Sequence, residues 1–370
     1  MKIAFYAPLK PPDHPNPSGD RLLARLFIQA LEAAGHEVIL ASSFRSFERA
    51  GSTQAQLAIQ AAGVTEREAL IQRFQQESPP DLWFSYHIYH RAPDWIGPEV
   101  AAYFKIPYVV AEASVSPKHA NGPWQQGYLR GRQCIRYADA MVSINPRDLE
   151  CAAPLLRRET PLLRLKPFID TSGFPRARTH EATTPLRLVS VAMMRPGDKQ
   201  ASWFELGDIL SGLESHDWTL EVIGDGRARD KIEAKLRDAC GHRLQLHGRV
   251  EGEALCSRLA QADLFVWPGI NEAFGMAYLE AQCVGLPVVA GRYGGVSGVV
   301  YHGQSGLLYP AGDITSARTC IHYLTRRPRL LGQMAKAAAE TVRREHDLFS
   351  ASQKLNQLFT GLSRSKDAIA

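Results

Sequence analysis

The stretches KIAFYAP (residues 2–8) and SGDRLLARLFIQALEAAGHEVILAS (residues 18–42) decide the fold of this 370-residue chain. The first is a short apolar run stopped by a proline, as a buried strand is. In the second, Leu22, Leu26, Ala30 and Leu31 give a broad apolar face at helical spacing. Gly35 stands where a helix ends on glycine, and EVILAS resumes as a strand. Strand, helix and strand in that order form a β-α-β unit with parallel strands. The start of the chain, with its single lysine and brief apolar run, reads as a first strand rather than a secretory signal, so the mature chain is expected to begin at Met1.

The same alternation continues outward. DLWFSYH (81–87), PYVVAEAS (107–114) and AMVSIN (140–145) read as further strands with helical stretches between them. Asp170 to Pro185, DTSGFPRARTHEATTP, is rich in Gly, Pro and small polar residues and reads as a linker. The alternation then restarts with LRLVSVAMM, WTLEVIG, LQLHGRV, DLFVWPG, PVVAG and GLLYP. The expected fold is α/β with two Rossmann-like domains, residues 1–178 and 179–345, and a closing segment, 346–370, that returns to the first domain.

Composition narrows the class. With 45% hydrophobic and 22% charged residues the chain is globular, and no stretch reaches the roughly eighteen continuous apolar residues needed to span a bilayer. Six scattered cysteines without a C-x-x-C pair argue for a reducing compartment, no structural metal and no disulfide framework. The net charge of +5 is spread along the chain, which favours anionic ligands without requiring nucleic acid.

In parallel α/β sheets ligands sit beyond the carboxyl ends of the strands. Four loops there carry candidate chemistry. RPGDK places Arg195 and Lys199 ahead of a helix, as a clamp on a diphosphate or as a solvated turn. GDGRARDK has Gly224 and Gly226, which either admit a ligand close to the backbone or form a tight turn. PPDHPNPSGDR is a Pro-rich loop ending at Gly19. The most informative stretch is GINEAFGMAYLEAQCVGLPVVAG (269–291). Glu272 precedes the helix there, Phe274, Gly275, Met276 and Ala277 form its N-terminus, and Glu280 lies one turn inside. Unpaired N–H groups at such an end suit phosphate or sugar hydroxyls. Two acids so spaced grip two ends of an extended ligand better than they form a glycosidase pair about 5 to 9.5 Å apart.

With these residues in view the chain resembles the family 4 glycosyltransferases. The resemblance is carried by NEAFGMAYLEAQCVGLPVVA followed by GRYGGVSGVVYHGQSGLLYPAGD, with further similarity in GDGRARDKIEAKL, LHGRVEGEAL and LKPFIDTSGF. It implies the GT-B fold, two facing domains with a cleft for donor and acceptor, and transfer from a UDP- or GDP-sugar with retention and without a metal or other cofactor. It places Glu272 on the donor sugar, backbone N–H groups of Ala273 to Ala277 on sugar and diphosphate, and Glu280 on the ribose. It makes Arg195 and Lys199 the diphosphate clamp, sets Arg249 and Val250 beside the nucleobase, and brings Gly19 to the phosphates. The chain departs from the family at Met193, near the usual place of the clamp arginine, at Gly298, where a glutamate is frequent, and at Ala113, near the usual first-domain histidine. Glu112 and His119 are the candidates for that last role.

The acceptor is the open side. WFSYHIYHRAPDW and KHANGPWQQGYLRGR could line a saccharide site or belong to core and surface. YLRGRQCIRY could meet an anionic membrane or a phosphorylated acceptor, or form a solvated helix face. The expected partners are a nucleotide-sugar and a glycan, small-molecule or lipid-linked acceptor, and the expected location is cytoplasmic, at the inner membrane face if the basic segment meets lipid. A sugar-nucleotide 2-epimerase-like enzyme and a non-catalytic nucleotide-sugar-binding subunit are the alternatives.

Overall fold

The computed structural model describes residues 1–16, 18–175, 184–213 and 217–367. The chain falls into two compact units, Met1–Lys166 with Leu348–Ala370, and Pro167–Asp347. The domain boundary expected after residue 178 lies outside the described residues, as does the middle of the expected linker.

The first unit runs β1 (Lys2–Tyr6), α1 (Gly19–Ala33), β2 (Glu37–Ser42), α2 (Thr53–Gln76), β3 (Leu82–Tyr89), α3 (Gly97–Phe104), β4 (Tyr108–Ser114), α4 (Gln125–Tyr137), β5 (Ala140–Ser143), α5 (Pro146–Ala152) and β6 (Leu162–Arg164). All strand pairs are parallel, in the order β2-β1-β3-β4-β5-β6. Ile3, Ala4, Phe5 and Tyr6 are wholly buried, because a parallel sheet is covered on both faces and its strands are apolar throughout. Ser18 caps α1 by accepting the Arg21 N–H at 3.2 Å, which fixes where the Pro-rich loop ends and the helix begins. The three-residue edge strand β6 is too short to carry a periodic pattern, and the sequence did not reveal it.

The second unit runs β7 (Leu186–Val191), α6 (Asp198–Ser211), β8 (Trp218–Ile223), α7 (Arg229–Cys240), β9 (Leu244–Leu246), α8 (Gly252–Gln261), β10 (Leu264–Trp267), α9 (Met276–Cys283), β11 (Val288–Gly291), β12 (Gly306–Tyr309), α10 (Ile314–Thr325) and α11 (Pro328–Glu345). Its parallel sheet is ordered β12-β11-β10-β7-β8-β9. Counted within the unit, this is the 3-2-1-4-5-6 order of dinucleotide-binding sheets, and the order reverses between β7 and β10. After α11 the chain re-enters the first unit as α12 (Leu348–Asp367), which packs on α1. Leu355 and Phe359 of α12 are wholly buried, Phe359 against Phe84 with ring centres 6.1 Å apart. Burial of side chains this size stabilises by about 1.5–3 kcal/mol each, so α12 is part of the unit's core.

Among the described residues no helix is long and apolar enough to cross a membrane.

Candidate functional site

Sheet order marks where to look. At the carboxyl ends of β7 and β10, where the strand order reverses, two loops meet. Lys199, in the first turn of α6, pairs through Nζ with Glu272 Oε1. The Trp267 indole N–H donates to the same oxygen at 3.3 Å, and the Lys199 ammonium lies 5.6 Å from the centre of the Trp267 ring. Trp203 packs edge-on against Trp267 at 4.6 Å, and the Tyr278 hydroxyl donates to the Trp267 carbonyl at 3.1 Å. Lys199 and Glu272 are mostly covered, their side chains 18% and 16% exposed. An ion pair this shielded is screened far less than a surface pair, so both side chains are held in place before any ligand arrives.

The start of α6 also holds the loop that carries Glu272. Ser202 Oγ accepts the Ile270 N–H at 3.0 Å while donating to the Asp198 carbonyl at 2.8 Å. The Asn271 amide donates to Asp198 Oδ1 at 3.2 Å. From below, Gly294 presses on the Glu272 carbonyl so closely that an added Cβ would lie 1.9 Å from it, and at φ +49° the position favours glycine. The Gly295 N–H bonds that same carbonyl at 3.2 Å. The neighbouring Tyr293 donates to Glu205 Oε2 at 3.1 Å, and Tyr309 donates to Glu205 Oε1 at 3.2 Å, which ties this Gly-rich loop to α6. Burial raises the Glu205 pKa, against the two tyrosine hydroxyls, which lower it.

Beyond Glu272, α9 opens at Gly275 without a side-chain cap. Among the described residues the N–H groups of Ala273, Phe274, Gly275, Met276 and Ala277 meet no hydrogen-bond acceptor. Unpaired donors at a helix N-terminus hold anions well. One turn on, Glu280 is partly buried, and burial, with a smaller contribution from Glu251, pushes its pKa up to about 7.

The remaining candidates are distributed as follows. Arg195 is exposed on the turn before α6. Arg249 is exposed and donates through Nε and Nη2 to Glu251 Oε1 at 3.0 and 2.8 Å, while Val250 packs against the core. Gly224 and Gly226 do permit a close backbone approach, to Ala192 and Met194 of the neighbouring loop, whose carbonyls would lie 1.9 and 2.3 Å from an added Cβ. In the first unit, Gly19 opens α1 with free space around it. Glu112 is buried at the end of β4 with φ +55°, and accepts the N–H groups of Ile144 and Asn145, the latter at 3.2 Å. His119 stacks on His90 at 3.6 Å. Sequence reasoning missed Trp267, Trp203 and Glu205, which read as strand and helix interior, and the pairing of His87 with Asp20 across the β1 and β3 ends, Nδ1 to Oδ1 at 3.5 Å.

A parallel sheet in this order, with a cation, an acid and an open helix end at its switch point, has the layout in which α/β folds hold ligands. Residues 186–326 match the family model described as glycosyl transferases group 1. Over 143 residues, 37% of this chain and 26% of the relative, the sequence is 31% identical to the sulfoquinovosyl transferase of Arabidopsis thaliana. It is 24% identical over 302 residues, 74% of the chain and 69% of the relative, to a glycogen synthase of Mycobacterium tuberculosis. Among solved structures, sucrose-phosphate synthase from Thermosynechococcus elongatus superposes with a TM-score of 0.74 at 16% identity, covering 99% of this chain and all of the other. Anabaena HepE in complex with UDP-glucose superposes with a TM-score of 0.70 at 16% identity, covering 98% and 100%. The fold is GT-B, and residues 186–326 carry the match to the glycosyl transferases group 1 family.

Proposed function

We propose that this chain transfers a sugar from a UDP- or GDP-sugar to a glycan, lipid-linked or small-molecule acceptor, with retention of anomeric configuration and without a metal ion. The observation that carries the reading is the Lys199–Glu272–Trp267 group set beside the uncapped start of α9. The chemical problem in such a transfer is a departing diphosphate and a sugar that gains positive character. Lys199 and the exposed Arg195 supply cations for the diphosphate, and the N–H groups of Ala273 to Ala277 supply fixed donors. The Glu272 carboxylate accepts sugar hydroxyls and favours the cationic ring. Glu280 accepts from the ribose, Arg249 and Val250 border the base, and Gly224 and Gly226 shape the floor by keeping two loops in contact. With the departing phosphate taking the acceptor proton, no protein base is needed on the reacting face. In the first unit, Gly19 brings the loop before α1 to the donor phosphates, and Glu112 and His119 are assigned to the acceptor side. HepE, whose structure was solved with UDP-glucose, supports a nucleotide-sugar as donor.

The test is a donor screen by thermal shift with UDP-, GDP- and ADP-sugars, followed by mass spectrometry of products from candidate acceptors. With the preferred donor, Glu272→Gln and Lys199→Ala are expected to lower kcat by about 10²- to 10³-fold, the usual cost of one charge-stabilising group. Near-normal rates in both variants would remove these roles. Isomerised donor without transfer would point to an epimerase instead.

A further inference from the structure

The charge that reads as spread along the sequence is concentrated once the elements are in place. Residues 314–339, from the start of α10 into α11, contain no Asp or Glu and five cations, Arg318, Arg326, Arg327, Arg329 and Lys336. Without these five the chain's 43 Lys and Arg fall to 38, equal to its 38 Asp and Glu. Two of the five are engaged. Arg318 donates through Nε and Nη2 to the Ile209 and Asp208 carbonyls at 3.0 and 2.6 Å, and Lys336 lies 3.9 Å from Glu340. The other three stand at the turn between the helices, where Arg326, Arg327, Pro328 and Arg329 are all exposed. Among the described residues no carboxylate lies within 4.0 Å of these three guanidinium groups. The helices account for only part of this. Arg326 follows the last turn of α10, where the helix dipole favours a cation. Arg327 and Arg329 open α11, where the dipole disfavours one, and that first turn has neither an acid nor a side-chain cap. Beside them Tyr323 is 41% exposed, with the Arg327 guanidinium 3.9 Å over its ring.

We propose that the turn between α10 and α11 docks on an anionic lipid surface, with Arg326, Arg327 and Arg329 at the headgroup phosphates and Tyr323 at the level of the interface. A bilayer surface asks for clustered cations beside an amphipathic ring, with no fixed geometry, and the turn supplies that. A single-stranded nucleic acid needs open aromatic faces for its bases, and Arg327 already covers one face of Tyr323. The other basic segment, YLRGRQCIRY, is weaker as a lipid contact once folded. It lies in α4, where Arg130 is buried in a pair with Glu99 at 2.6 Å and Arg132 donates to the Tyr128 hydroxyl at 2.9 Å, which leaves Arg136. The contact is separate from donor and acceptor chemistry, so a failed transferase assay leaves it standing.

The full chain is mixed with vesicles of phosphatidylcholine, with or without phosphatidylglycerol, and the bound fraction is read by flotation at low and at physiological salt. Binding is expected to the anionic vesicles alone, and to weaken at the higher salt because exposed charges are screened. Replacing the three arginines together, Arg326→Gln, Arg327→Gln and Arg329→Gln, should lower the partition coefficient by about 10²-fold, at roughly fivefold per charge. Arg326→Lys, Arg327→Lys and Arg329→Lys together keep the charge and should bind nearly as the parent does. Arg132→Gln with Arg136→Gln in α4 should also bind as the parent does. Thermal melts show that each variant is folded. Equal binding to neutral vesicles, undiminished binding by the glutamine triple, or loss of binding in the lysine triple with its melt intact overturns the surface. Loss in the α4 pair with the glutamine triple unaffected overturns it as well, and places the contact on α4. Capture of single-stranded DNA or polyglutamate at physiological salt without capture of anionic vesicles assigns the turn to a soluble polyanion and overturns the lipid reading.

Discussion

Glu280 carries a residue-scale consequence that is separate from catalysis. The folded chain holds its proton up to about pH 7, whereas an ordinary glutamate releases it near 4.5. Between those values the folded form binds more protons, so stability falls as pH rises through the window. Glu280→Gln should flatten that slope and raise the melting temperature of the unliganded protein at pH 8 relative to pH 5; an unchanged pH profile in scanning calorimetry would show that the carboxyl is already well solvated. Residues of this kind were legible in part. Glu272 and Lys199 stand next to helix starts, where position along the chain already limits what they can do. Trp267 and Glu205 were not, because an indole at the end of an apolar strand looks like core until its N–H is seen to reach a carboxylate. For the same reason Glu112 could be named as a candidate but not seen as a buried acceptor of two backbone N–H groups, since its partners lie 32 and 33 residues away.

At the scale of elements, the loops around Lys199 and Glu272 are fixed by close backbone packing as well as by side chains. The strand and helix alternation was readable from periodicity, and so was the uncapped start of α9, since Gly275 followed by an apolar helix leaves no side chain to cap it. Which loops lie on one another was not readable, because it depends on sheet order. Gly294→Ala is expected to displace the Glu272 carbonyl, costing about 1–3 kcal/mol of stability as overpacked sites do, and to raise donor KM more than it lowers kcat. Chemical denaturation and steady-state kinetics check both parts. Gly298→Ala, at a position with open space around its Cβ, is the matched control and should do neither.

At the scale of the molecule, the first unit is made of two separated pieces of chain and the second of one. Removing residues 348–370 uncovers the face of α1 on which α12 packs and the side of Phe84 that Phe359 covers. Hydrogen exchange should then show faster exchange in α1, β1 and β3 while β7 to β12 keep their protection. Uniform loss across both sheets would mean that the two units do not unfold separately. The sequence suggested this return of the chain only as a closing segment after the last helices of the second unit, because no local pattern in α12 names its partner.

The same arrangement imposes an order on synthesis. As the ribosome delivers the chain, the complete sheet and helices of Pro167–Asp347 emerge before Leu348, so the inserted unit can finish folding while the first still lacks α12. Until that helix arrives, the apolar face of α1 and one side of the Phe84 ring lack the cover that α12 gives them. Nascent chains stalled before residue 348 are therefore the species most exposed to chaperones and proteases.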